Sequence, residues 1–129
     1  MKPIEFTQQM KILALSYNKD FDAETIEVWY KYFKDIKKET FEKALNKIIT
    51  NNKYMPSIAE IIEKCKEEQK NTTYEILEIM KNDNYFKDVK EYEKALVWLE
   101  TKIIPQWFKE DMKKYYTNMI EMNNKLIEG

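Results

Sequence analysis

Two carboxylate pairs, one thiol and one lysine cluster are the groups in this chain whose types and spacing could do chemistry. Glu67-Glu68 and Glu110-Asp111 are candidates for general acid–base work. Adjacent residues on a helix point about 100° apart, so neither pair converges on one substrate atom. Both read as solvated helix surface. Cys65 is the one thiol, and the chain has no His to activate it as a nucleophile. A lone thiol cannot build a zinc site of the usual Cys/His kind, so Cys65 is expected to be a partly buried structural residue. Lys31, Lys34, Lys37 and Lys38 could contact phosphate. Asp35 and Glu39 dilute that cluster, and without Arg the chain lacks the usual bidentate reader of base edges. A solvated helix end is the expectation.

The missing residue types narrow the function further. The sequence has no His and no Arg, and its single Gly is Gly129. Phosphate-cradling loops need Gly for close backbone approach, and no GxxxxGK[ST] pattern occurs. Acid–base catalysis at neutral pH leans on His, and bidentate grip on phosphate leans on Arg. These absences point away from an enzyme, with no cofactor and no metal expected. They favour a protein that works by touching another protein.

Charge and hydropathy set the class. There are 22 Lys against 23 Asp and Glu, for a net charge of −1, so no direct sequence-specific contact with nucleic acid is expected. Hydrophobic residues make up 43% of the chain and aromatics 14%, enough to build a core. No apolar run approaches the roughly 20 residues of a membrane span, and the first residues show no apolar signal region. One Cys suits a reducing cytoplasm.

Apolar residues recur at three and four rather than two, which predicts an all-α fold. A first helix is predicted from about Glu5 to Tyr17, with Phe6, Met10, Leu13 and Tyr17 on one face. Asp22 should cap a second, carrying Ile26, Trp29, Tyr30 and Phe33. A third runs from about Glu39 to Thr50. Ser57 and Glu60 form an S-x-x-E capping box that opens a fourth. The polar run from Glu63 to Asn71 looks like a boundary, after which Thr72 and Glu75 repeat the box and should open a fifth. A sixth holds Tyr92, Ala95, Leu96 and Leu99. Pro105 then either starts a new helix or kinks a continuous one, before a last helix to about Ile127. The division expected is a compact N-terminal helical domain over residues 1–70 and a helical partner-binding region over 71–129.

The last helix carries the clearest binding pattern. Phe108, Met112, Tyr115, Met119, Met122 and Leu126 fall at spacings of 4, 3, 4, 3 and 4, a heptad-like stripe. Met adapts to irregular surfaces, and Trp and Tyr are enriched at binding hot spots. The stripe through Met122, with Trp98 and Trp107 as anchors, is the candidate partner-binding face. The alternative is that it packs on the protein's own core, as stripes at helical spacing usually do. It would equally suit a homodimer.

Several residues also carry a family resemblance. Tyr17, the pair Trp29-Tyr30, and then Tyr54, Pro56, Ser57, Ile58, Ala59, Glu60 and Ile61 follow in order, with Tyr54 24 residues after Tyr30. In this pattern the first 65 or so residues resemble the small phage proteins that load and inhibit the DnaB-type replicative helicase. Asn18 stands where that family often has Pro. The resemblance implies a compact helical N-terminal domain and a C-terminal part that engages the hexameric helicase in the bacterial cytoplasm. It also implies delivery of the helicase to an origin-bound initiator. The motif residues themselves read as architecture, with Trp29 in the core and Pro56-Ser57 setting a helix entry. The other reading is a small helical inhibitor of a different host or rival-element protein.

Overall fold

The computed structural model describes residues 1–128, with side chains described through Ile120. Among the described residues the protein is all-helical. Six helices follow one another: α1 Pro3–Ser16, α2 Ala23–Phe33, α3 Lys38–Asn51, α4 Ile58–Asn82, α5 Val89–Thr101 and α6 Gln106–Glu128. The chain divides into two compact units, Met1–Asn71 and Thr72–Gly129.

The helix starts follow their side chains. Asp22 accepts a hydrogen bond from the Thr25 N–H at 2.7 Å; the Thr25 side chain, and then this N–H, hold the Asp22 carboxyl below the usual carboxylate range. Ser57 Oγ accepts from the Glu60 N–H at 3.2 Å, and Glu60 accepts from the Ser57 N–H at 3.3 Å. This closes the reciprocal capping box. Asp88 caps α5 through the Glu91 N–H at 2.9 Å. Pro105 ends the α5–α6 connection and α6 begins at the next residue, so it starts a helix rather than kinking one.

Helix ends had to be closed without internal glycine. Asn18 follows the C-cap of α1 in the left-handed region at φ 55°, and Asn84 follows α4 at φ 59°. Asn tolerates this region better than other non-glycine residues. The Lys19 N–H then reaches the Ala14 carbonyl at 2.8 Å, and the Tyr85 N–H reaches the Met80 carbonyl at 3.0 Å. Both are Schellman closures that satisfy carbonyls the helix leaves open.

One expected break is absent. Residues 63–82 continue the helix begun at Ile58, so Thr72 and Glu75 lie inside α4 and cap nothing. The run from Glu63 to Asn71 is polar because most of it is solvated, yet Cys65 and Glu68 turn inward, 2% and 3% exposed. Polarity there marks a helix face and not a chain break.

In the first unit Phe6, Met10, Leu13, Phe33, Phe41, Leu45 and Ile61 form the core. Its centre is aromatic: Phe33 and Phe41 rings lie 5.1 Å apart, and Phe6 stacks on Phe33 at 5.9 Å. Glu68 is buried against the core edge and pairs with Lys47 of α3. In the second unit Ile76, Leu77, Met80, Ala95, Phe108 and Met112 form a separate core.

Candidate partner-binding site

The site is built around the turn from α5 into α6. Thr101 ends α5, and Lys102 adopts the left-handed region at φ 62°. Ile103, Ile104 and Pro105 then lead into α6. This turn sets Trp98, near the end of α5, against Trp107, at the start of α6. Their rings meet edge to face with centroids 5.8 Å apart at 89°. Phe108 lies under both, 5.2 Å from Trp98 and 5.8 Å from Trp107. Lys94 places its ammonium 5.7 Å from the Trp98 ring centre, a cation–π contact.

The stripe of α6 is divided between core and surface. Phe108 is fully buried and Met112 nearly so, both within the core of their own unit. Tyr115 and Tyr116 pack against that core, half-buried, and Met119 is half-buried as well. The Tyr115 hydroxyl donates to the Asp83 carboxylate at 2.6 Å, which raises the phenol above its usual value. The side chains of Met122 and Leu126 lie outside the described residues. Trp98 is half-buried, while Trp107 is 57% exposed. Ile103 and Val97 beside the turn are also exposed. The corner therefore offers an apolar surface with an indole at its edge, braced from below by Phe108.

Two of these surface residues fall outside the heptad pattern. Ile103 sits in the turn, and Val97 lies off the helical stripe of α5. A heptad pattern registers neither, although the apolar run Ile103-Ile104-Pro105 is visible in the sequence.

The other candidates stay apart from this corner. Cys65 is buried in the first unit, and burial, with the Glu68 carboxylate adding, pushes its thiol up to about 12. Lys31, Lys34 and Lys37 are exposed, and Lys38 reaches Glu5 and Glu42 at 3.8 Å each. Glu110 is exposed beside a half-buried Asp111, which accepts from the Tyr85 hydroxyl at 2.5 Å. Among the described residues no group of His, Cys, Asp and Glu could hold a metal ion. No described helix is long and apolar enough to cross a membrane.

The residues that carry the family resemblance do architectural work in the first unit. The Tyr17 hydroxyl donates to the main-chain carbonyl of Asn52 at 2.8 Å and lies 3.3 Å from that of Ile48. Trp29 is half-buried against the core, its ring 5.6 Å from Phe21 and 6.4 Å from Phe33. Pro56 is buried ahead of the Ser57–Glu60 box, and Ile61 is fully buried one turn later. Tyr54 is the outlier, 77% exposed. Residues 1–62 match the family model for the N-terminal domain of gp39P, a phage helicase loader/inhibitor.

Over residues 1–62 the chain is similar to the N-terminal domain of the gp39P-like phage helicase loader/inhibitors.

The gp39P-like domain takes in α1, α2, α3 and the capped start of α4. Its presence points to a phage helicase-associated protein. The matched segment ends before the α5–α6 corner. No curated protein and no solved structure matches the chain.

Proposed function

We propose that this protein is a non-enzymatic adaptor of phage DNA replication. It binds a hexameric DnaB-type replicative helicase, holds it in a state that does not unwind, and assists its loading at an origin-bound initiator. The gp39P-like domain over residues 1–62 carries this reading.

The contact surface is the α5–α6 corner. Trp107 is the anchor, because an indole 57% exposed at the edge of an apolar surface resembles a binding hot spot. Trp98 and Phe108 hold that indole in place. Tyr115 and Met119 extend the surface along α6, and Met112 supports them from the core. Binding changes the helicase only if the corner fits one helicase conformation better than the other, since differential affinity shifts the population.

The test is helicase unwinding in the presence of the full chain and of Trp107→Ala. The wild-type chain should suppress unwinding in a saturable way. The variant should need about tenfold more protein or greater, as for a hot-spot aromatic. Equal suppression by both would remove Trp107 from the contact.

One observation favours a second reading. The corner lies outside the matched residues, so the second unit of a loader-type chain could have been turned against another host or rival-element protein. Absence of any effect on a replicative helicase would favour it.

A further inference from the structure

A cleft of about 390 Å³ opens between α1 and α2 in the first unit. Buried Phe6 and half-buried Ile26 and Tyr30 line it together with exposed Pro3, Ala23 and Glu27. Ala23 has only a methyl group there, so the space between the two helix starts is left unfilled.

The polar groups around the cleft are almost all committed. Thr7, also at the lining, donates its hydroxyl to the Pro3 carbonyl at 2.8 Å. The Tyr30 hydroxyl donates to the Met1 carbonyl at 2.6 Å. Glu27 is different: among the described residues neither it nor Glu24, one turn earlier on α2, has an ion-pair partner. Both are exposed, and Asp20 and Asp22 precede them beside Lys19, while Lys2 adjoins Pro3 and Lys31 follows Glu27 one turn later on α2. An apolar notch with one uncommitted carboxylate lacks the several converging polar groups that orient a small polar metabolite. Ile4, which follows Pro3 and precedes Thr7 by one turn of α1, is 67% exposed.

We propose that the α1–α2 cleft docks a segment of a partner protein that inserts one apolar side chain, of leucine to phenylalanine size, beside a lysine or arginine. The apolar side chain fills the notch over Phe6, Ile26 and Tyr30, and the cation pairs with Glu27. This surface belongs to the first unit and does not rest on the α5–α6 corner or on the helicase reading. It gives the protein a second, chemically distinct docking site.

The probe is a capped helical peptide of about 15 residues with leucines on one face flanked by lysines, and a twin with glutamate in place of each lysine. Binding is followed by amide chemical shifts of the full-length protein. The lysine peptide should move the amides of Phe6, Ala23, Ile26 and Glu27, and the glutamate twin should not. Glu27→Lys should weaken the lysine peptide about tenfold and admit the glutamate twin, as reversal of an interfacial charge does. Ala23→Leu, which fills the notch from an exposed position, should weaken the lysine peptide without reversing the charge preference. The proposal is overturned if those amides do not move up to millimolar peptide, or if Glu27→Lys binds both peptides as the wild type does. It is also overturned if the same amides shift with protein concentration alone, which would assign the cleft to a second copy of this chain.

Discussion

The Tyr17 hydroxyl donates to the main-chain carbonyl of Asn52 at 2.8 Å, bridging 35 residues of sequence. Tyr17 is the C-cap of α1 and Asn52 the C-cap of α3, so one phenol ties together the ends of two helices. The segment that follows Asn52 carries Pro56 and the Ser57–Glu60 capping box. The bond fixes the end of α1 against the end of α3, a few residues ahead of that capping box.

Replacing Tyr17 with Phe keeps the ring and removes the bond. The loss should be about 1 kcal/mol, the net worth of one such hydrogen bond. Urea unfolding of the variant beside the wild type measures it. Burial, with the Glu60 charge adding, raises the Tyr17 phenol above its usual value. The stability this carries is complete below the unfolded phenol's range near pH 10 and falls as pH rises beyond it, because the unfolded chain ionises first. Tyr17→Phe should flatten part of that alkaline loss.

Asp22→Ala removes the side chain that caps α2 and exposes the Thr25 N–H. Denaturation should show a loss of stability, smaller for Asp22→Gly than for Asp22→Ala. Below the carboxylate range the wild type should approach the alanine variant. The folded state holds the Asp22 carboxyl low, so its contribution disappears as pH falls.

Cys65 is 2% exposed, and its thiol is pushed from 9.0 to about 12. A disulfide reagent at pH 8 should leave it unmodified in the folded protein and modify it fully in denaturant, since the thiolate is the reactive form. The neutral thiol contributes its full stability below pH 9, and that contribution falls between pH 9 and pH 12. Rapid labelling of the native protein would mean that the first unit opens far more readily than its core implies.

Neighbours Trp107 and Phe108 should behave in opposite ways. Phe108→Ala empties a fully buried aromatic position in the second core and should cost about 3–5 kcal/mol. Trp107→Ala at an exposed position should cost about 1 kcal/mol or less, the loss being its edge contacts with Trp98 and Phe108. Thermal melts of the two variants separate the residue that builds the corner from the residue that the corner presents.

Legibility in the sequence varies by element. Helix starts are readable where a side chain makes the cap, as at Asp22 and Ser57–Glu60, because that chemistry is local. The chain breaks at Asn18 and Asn84 are readable as polar interruptions, while the left-handed closures that replace glycine there need the backbone. The apparent break before Thr72 misleads, because a capping-box pattern inside a helix has no free amides to satisfy. Trp29, expected in the core, lies half-buried at its edge. On α6 the spacing correctly marks a helical stripe. It does not separate Phe108 and Met112, which are buried, from Tyr115 and Met119, which are half-buried on the same stripe. The α1–α2 cleft leaves no pattern at all, because it arises from what Ala23 fails to fill.

The central claim is that this chain engages a hexameric replicative helicase. The most direct measurement is size-exclusion chromatography with light scattering on the full-length protein mixed with a cognate DnaB-type helicase whose hexameric state and activity are verified. The predicted result is one co-eluting species heavier than the hexamer by whole copies of this chain, reduced or lost with Trp107→Ala. Separate elution of an active hexamer and of this chain at micromolar concentrations would contradict the claim.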